Sequence, residues 1–286
     1  MKSGFVAVAG RPNVGKSTLV NALCGGKVAI VSDKPHTTRR RIAGVANGDG
    51  HQLVLVDLPG FQRPLDPMTE RMQHTVDHGF EDVDAVVIVL SARERIGAGD
   101  NFVARRVFSL GVPVVIALNK VDNLVGGHIA TQMQTASKLG DFHALHPVSA
   151  KTGDGVDELR DELIGLLPEG PEYYPPDQRS DLSPETQVAE LVREKALQLT
   201  REELPHSISV EVEELGEKVV RASIYVETES QKQIVVGKRG SVVKEMGIRA
   251  RPEIEQLLGH PIFLELHVKV MPKWRRDVRL LERLGI

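Results

Sequence analysis

Gly10-Arg11-Pro12-Asn13-Val14-Gly15-Lys16-Ser17 decides the reading of the first half of the chain. An apolar run at 5–9 precedes it, and a helix-like run at 18–23 follows. Strand, glycine loop and helix in that order make a cradle for a phosphate chain. Backbone N–H groups must point at the anion without side chains in the way. Gly10 and Gly15 permit that close-lying backbone. The helix start at Lys16 aims its free N–H groups and dipole at the same place. Lys16 can reach the terminal phosphates, and Ser17 can hold a bridging Mg²⁺. The expected phosphate ligands are therefore Gly10, Asn13, Val14, Gly15, Lys16, Ser17 and Thr18.

Further apolar runs at 53–56, 85–90, 114–118 and 146–149 alternate with helix-like stretches. Residues 101–110 place Val103, Val107 and Leu110 on one face; residues 156–167 do the same with Val156, Leu159, Leu163 and Leu166. Strands apolar throughout, alternating with helices, predict a mostly parallel sheet with helices on both faces. Sites in such α/β sheets lie at the carboxyl ends of strands, and three more motifs follow apolar runs directly.

The first is Asp57-Leu58-Pro59-Gly60. Asp57 can hold Mg²⁺ through a water, and the Gly60 N–H can sense the terminal phosphate. The second is Asn119-Lys120-Val121-Asp122. The Asp122 carboxylate can accept from N1–H and N2–H₂ of guanine, whereas adenine would face it with a lone pair. Such a polar mismatch is rejected by about 10⁴–10⁵-fold. Asn119 is expected on the purine's other edge, with the Lys120 stem along the sugar. The third is Ser149-Ala150-Lys151, expected to give guanine O6 a backbone N–H. Together these motifs identify a GTPase using GTP/GDP and Mg²⁺. Lys16, Thr38 and Gly60 are the expected catalytic residues, with Ser17, Thr38 and Asp57 around the metal. Thr38 comes from residues 35–39, Pro-His-Thr-Thr-Arg, with Thr37 the alternative. Ras-like enzymes orient water with a Gln just after Asp-x-x-Gly. Here Phe61 stands there, so slow intrinsic hydrolysis is expected.

The chain has 286 residues, 41% hydrophobic and 26% charged, an ordinary two-domain composition. Its single cysteine, Cys24, excludes an internal disulfide framework and fits a reducing compartment. The opening Met1-Lys2-Ser3-Gly4 leads straight to the first strand, so a cytoplasmic chain without a signal peptide is expected. The net charge of -3 hides an asymmetry. Residues 231–286 carry 12 Lys+Arg against 6 Asp+Glu, a basic end where a polyanion can dock.

The expected boundaries are a GTPase domain at 1–170, a Pro-rich linker at 171–183 and a second domain at 184–286. In the second domain, a helix from Ser183-Pro184-Glu185 to about Arg201 leads into alternating strands at 208–213 and 220–226, a hairpin around 215–218. Gly237-Lys238-Arg239-Gly240 then precedes a helix, and a strand at 262–270 follows. This order, and a Gly-x-x-Gly with two basic residues, resembles an α+β type II KH domain. KH loops clamp the backbone of about four nucleotides. Gly237, Lys238, Arg239, Gly240, Lys244, Lys273 and Arg275 are the expected RNA contacts, with Trp274 as a stacking ring.

Gly-Arg-Pro-Asn-Val-Gly-Lys-Ser-Thr, Thr-Thr-Arg, Val-Val-Gly-Lys-Arg-Gly and Leu-Glu-Leu-His-Val-Lys-Val resemble the Era family, bacterial GTPases of the translation-factor-related class. The resemblance covers essentially the whole chain. It implies binding to the 3′ end of small-subunit ribosomal RNA, a role in 30S assembly, and a monomer with peripheral inner-membrane association in view. Asn13 with Thr-Thr-Arg also resembles GTPases that use K⁺ in place of an arginine finger. Family members often carry Asp-Thr-Pro-Gly where this chain has Asp-Leu-Pro-Gly, but Asp57 and Gly60 stay in place. The alternative is a membrane-associated signalling GTPase whose amphipathic tail, 277–286, contacts lipid.

Overall fold

The computed structural model describes residues 1–34, 36–200 and 204–286. Pro35, and the expected helix end at Arg201, lie outside them. The chain forms two compact units. The first comprises Met1–Val31, Thr38–Arg63 and Met72–Asp181. The second comprises Ser32–Thr37, Pro64–Arg71 and Leu182–Ile286.

The first unit is built on strands β1 (Lys2–Ala9), β2 (Ile42–Gly48), β3 (His51–Asp57), β4 (Ala85–Ser91), β5 (Val114–Asn119) and β6 (Ala144–Pro147). Their order is β2-β3-β1-β4-β5-β6. All neighbours are parallel except β2 and β3. Helices are α1 (Lys16–Leu23), α2 (Pro67–His78), α3 (Ala98–Phe108), α4 (Gly126–Ala136) and α5 (Val156–Leu166), with the division between units running through α2. Successive strand residues point to opposite faces. Val6, Val8, Val87, Val89 and Val115 therefore join one core, with Leu19, Leu159 and Leu163. Ala7, Ala9, Val86, Ile88 and Ile116 join the other, with Val76, Val103 and Val107. Both faces being covered is why β1, β4 and β5 read as continuous apolar runs.

Several sequence readings shift. The last strand of this sheet is Ala144–Pro147, two residues before the expected 146–149. Leu110 lies beyond the end of α3 and is exposed rather than on its buried face. Residues 171–181 are no free linker. Ser180 bridges Gly44, Val45 N–H donates to the Arg179 carbonyl (2.9 Å), and Gln52 bonds the backbone of Tyr173 and Tyr174. The segment satisfies the open edge of β2, which would otherwise expose unpaired backbone groups.

The second unit holds α6 (Pro184–Leu199), β7 (Ser209–Leu215), β8 (Val219–Val226), α7 (Glu229–Val236), α8 (Ser241–Leu258), β9 (Phe263–Val270) and α9 (Val278–Arg283). Ser183 Oγ caps α6 by accepting from Thr186 N–H, and Pro184 sits in the first turn, where its missing donor costs nothing. The sheet order is β7-β8-β9, antiparallel then parallel. Val188, Val192, Ile224, Val226, Val235, Met246 and Ile254 form its core.

Candidate nucleotide site and nucleic-acid interface

The phosphate loop leaves β1 at Ala9 and enters α1 at Lys16. Asn13 (φ 65°) and Gly15 (φ 99°) turn it through the left-handed region. Asn tolerates that region. At Gly15 a Cβ would sit 2.3 Å from Asn119 Nδ2, so no side chain fits. Val14 is buried beneath the loop, and Thr18 is half-buried on α1. Lys16 is buried, with Nζ donating to the carbonyls of Gly10 (3.3 Å) and Arg11 (3.1 Å). Burial pulls its pKa down to about 8, against the opposite pull of Asp57. A phosphate oxygen is a stronger acceptor than these carbonyls. Arg11 Nε donates to buried Asp100 (2.7 Å), which also accepts from Gly97 N–H, pinning the loop to the start of α3.

Ser17, Thr38 and Asp57 meet at one point. Ser17 Oγ donates to Asp57 Oδ2 (2.7 Å), Thr38 Oγ1 donates to the same oxygen (3.2 Å), and the hydroxyls are 2.9 Å apart. Asp57 is fully buried, and its Oδ1 has no hydrogen-bond partner. Burial pushes its carboxyl up, while Lys16 and the two hydroxyls pull it back. A buried carboxylate oxygen left without a donor is costly. This oxygen-only set fits a hard cation such as Mg²⁺. Among the described residues, no group of three or more His, Cys, Asp or Glu could hold a metal. Thr38 takes this position; Thr37 Oγ1 instead donates to the Lys34 carbonyl (2.6 Å).

Gly60 lies against the loop, where a Cβ would come within 2.8 Å of Pro12 N. The Phe61 ring is buried beside Phe80 (5.9 Å between centroids) and Phe102 (6.1 Å). The position after Asp-x-x-Gly is thus part of an aromatic cluster and offers no donor or acceptor to water.

Asn119 turns toward the phosphate loop and commits one of its two Nδ2–H donors there. Its Nδ2 donates to the Val14 carbonyl (3.0 Å), and its Oδ1 accepts from the N–H groups of Lys120 (2.8 Å) and Ala150 (3.0 Å). It is a strut joining three loops. The Ala150 amide is thereby committed, and the Ser149 amide donates to the Asp154 carbonyl (2.8 Å). Lys120 Nζ donates to the Asn13 carbonyl. Burial lowers the Lys120 pKa. Asp122 accepts from Ser149 Oγ (3.0 Å) and from Arg93 (2.5 Å). Burial pushes the Asp122 carboxyl up, but Ser149 and Arg93 outweigh it and hold it below the usual range. Lys151 is exposed at the end of this loop. Arg93 and Arg11 were missed from sequence because their partners lie 29 and 89 residues away.

In the second unit, Gly237 ends α7 and Gly240 precedes α8. Gly237 (φ 72°), Arg239 (φ 53°) and Gly240 (φ 79°) all have positive φ. The turn lifts Lys238 and Arg239 into solvent at the start of α8. That start is a natural anion site. Lys244 and Lys273 are also exposed, and β9 is an edge strand. Ile234 on α7 and Ile248 on α8 are 55% and 52% exposed, apolar surface the motif reading missed.

Two expected RNA contacts need correction. Trp274 is 0% exposed, and its Nε1 donates to the Ser207 carbonyl (2.8 Å). Its ring is core and cannot stack a base. Arg275 faces the carboxylates of Asp66 (3.5 Å) and Glu227 (3.7 Å), so its charge is already matched. Trp274→Phe should therefore cost about 1–3 kcal/mol of stability, through lost volume and an orphaned carbonyl. RNA affinity of the folded variant should not change; lost affinity at unchanged thermal stability would restore the stacking role. The tail's leucines Leu280, Leu281 and Leu284 are buried while Val278 is exposed, so most of its apolar side is used in packing rather than offered to lipid. Among the described residues, no helix is long and apolar enough to cross a membrane.

Comparison with known proteins agrees with both halves. The model of a 50S ribosome-binding GTPase family matches residues 5–120, and a KH domain model matches 203–275. A GTPase Era from Nocardioides sp. is 44% identical over 99% of this chain and 96% of its own. A crystal structure of an Aquifex aeolicus Era variant bound to GDP·AlF₄⁻ has a TM-score of 0.96 at 37% identity, covering 100% of this chain and 99% of the other. The same figures hold for a crystal structure of Era with MgGDPNP and nucleotides 1506–1542 of 16S ribosomal RNA. With a GTPase unit followed by a KH unit, and a relative 44% identical along nearly its whole length, the chain belongs to the Era family of GTPases.

Proposed function

We propose that this chain is a GTP-operated RNA clamp, acting on the 3′ end of small-subunit ribosomal RNA during 30S assembly. The observation that carries the RNA half is the exposed Lys238-Arg239 turn at the start of α8. The relative bound to 16S nucleotides supports the choice of RNA. Mg²⁺ would be held through Ser17, Thr38 and Asp57, and when bound it neutralises charge on the phosphate oxygens. Gly10, Val14, Gly15 and Thr18 shape the cradle, and Lys16 meets the terminal phosphates. Asp122 reads guanine N1–H and N2–H₂, and the O6 donor falls to the Lys151 amide. The Gly60 N–H senses the γ-phosphate. With Phe61 in an aromatic cluster, intrinsic hydrolysis is slow.

Coupling follows from where the chain divides. Thr37 belongs to the second unit and Thr38 to the first. Within the second unit, Arg193 of α6 is buried against Glu190 and donates to the Thr37 carbonyl. Ordering of Thr38 by Mg²⁺ and the γ-phosphate therefore acts on a residue bonded covalently to one that α6 already holds. GTP should favour RNA and, by linkage, RNA should favour GTP.

K⁺ use rests on Asn13, whose side chain is exposed at the loop. Hydrolysis by the purified protein should run several-fold faster in K⁺ than in Na⁺ at equal ionic strength; equal rates would rule K⁺ out as a cofactor. Incubation with RNA and with anionic vesicles in competition tests the lipid alternative. RNA should win, since the tail's leucines are buried.

A further inference from the structure

Asp122 is the base-reading group of the GTP-operated clamp, and the role of its neighbour Arg93 rests on that reading. In this structure both carboxylate oxygens are engaged. Oδ1 accepts from Ser149 Oγ at 3.0 Å, and Oδ2 accepts from Arg93 Nη2 at 2.5 Å. The same Arg93 nitrogen donates to the Asp122 carbonyl at 3.2 Å. Asn123 Nδ2 also donates to Oδ2, at 3.5 Å. The two closer partners differ in freedom. Ser149 is fully buried, and its hydroxyl also accepts from Thr152 N–H at 3.3 Å. Arg93 lies just after β4, and its side chain is 48% exposed while that of Asp122 is 7% exposed. A long arginine stem with its head at the water's edge can swing away and rehydrate.

A carboxylate this buried needs a partner when no base is present, because an uncompensated buried charge is strongly unfavourable. Ser149 and Asn123 are neutral donors, and Arg93 supplies the opposite charge. Guanine brings its own donors, N1–H and N2–H₂, to the same atoms. We propose that Arg93 is a latch on Asp122, neutralising the base-reading carboxylate while the site is empty and displaced by the guanine edge as nucleotide enters. Arg93 is thus a positioning residue acting through Asp122. The latch also sharpens selection. Guanine replaces the broken pair with two new hydrogen bonds. Adenine, with an acceptor at N1 and no 2-amine, would break the pair and return nothing.

The test is calorimetric titration of the full chain with GDP, comparing wild type with Arg93→Ala, and with XDP for Asp122→Asn with and without Arg93→Ala. Without the latch to displace, Arg93→Ala should bind GDP about two- to fivefold more tightly, the scale of a partly exposed ion pair. That gain should shrink toward none in high salt, which screens the pair. A variant damaged in folding would bind more weakly, so tighter binding cannot come from damage. In the Asp122→Asn background, Arg93→Ala should leave XDP affinity unchanged, because the amide carries no charge to latch. GDP binding by Arg93→Ala that equals or falls below wild type at low salt overturns the latch. If Asp122→Asn nonetheless prefers XDP, the base reading survives and only the latch fails. If Asp122→Asn still prefers GDP, the base reading itself has failed.

Discussion

Asp122→Asn is expected to move the nucleotide preference from guanine to xanthine by about 10⁴-fold, the scale on which a site built for one hydrogen-bonding edge rejects another. The size follows from burial. The Asp122 carboxylate is largely withdrawn from water, which pushes its pKa up, yet Ser149 and Arg93 hold it below the usual carboxylate range. It is therefore an ionised pair of acceptors at neutral pH. Guanine presents two donors there. An asparagine presents one acceptor and one donor, so the guanine amine would meet an N–H. Xanthine carries a carbonyl in place of that amine and accepts the new donor. The change is nearly isosteric, and Ser149 can bond an amide oxygen as well as a carboxylate oxygen. Fold and phosphate loop should be untouched. Titration with GDP and XDP measures the exchange; an unchanged preference for GDP would contradict the assignment.

Gly240→Asp should weaken RNA binding by about 10- to 100-fold while leaving RNA-free GTP hydrolysis at the wild-type rate. A Cβ at Gly240 meets nothing within 4 Å, and its φ of 79° lies in the region that aspartate enters most readily after glycine and asparagine. The new carboxylate would stand beside Lys238 and Arg239, at the start of α8, where phosphate must approach. A like charge at about 4 Å near a protein surface costs up to about 4 kcal/mol before salt screening, so one to two decades of affinity is a fair expectation. Gly237 is a poorer site for the same change. A Cβ there would lie 2.4 Å from Val242 Cγ2 and 2.8 Å from Val242 N, so lost binding would confuse packing with charge. RNA affinity measured for Gly240→Asp with its thermal midpoint checks the clamp. Full affinity in a folded variant contradicts it.

What the sequence made legible was the local chemistry. The phosphate loop, Asp57, Asp122 and the Gly-x-x-Gly turn are short runs in which backbone geometry and side chains act together, so spacing suffices to find them. β1, β4 and β5 were readable because both faces are buried. β2 was not: Ile42-Ala43-Gly44-Val45-Ala46-Asn47-Gly48 is rich in small residues, and Gly44 is required because a Cβ there would lie 2.9 Å from Cys24 Sγ. α4 opens with Gly126-Gly127, which disfavour a helix and hide its start, although Ile129, Met133 and Ala136 recur at helical spacing. Trp274 misled because its basic neighbours imitate a nucleic-acid patch while its own ring is in the core. Asn119 has a role that the motif does not show: its amide also bonds the backbones of Val14, Lys120 and Ala150, two of them on other loops. The roles of Arg93, Arg11 and Arg193 arise from long-range contacts that no local pattern encodes.

Coupling of guanine nucleotide to RNA within this one chain is decided by a single comparison. The affinity of the full-length protein for a small-subunit 3′-end RNA is measured in GDP and in a non-hydrolysable GTP analogue, at one salt concentration. Coupling between sites is typically 5- to 150-fold, and the tie from Arg193 to the residue preceding Thr38 predicts RNA binding at least about fivefold tighter with the GTP analogue. Equal affinity in the two nucleotide states would contradict a GTP-operated clamp.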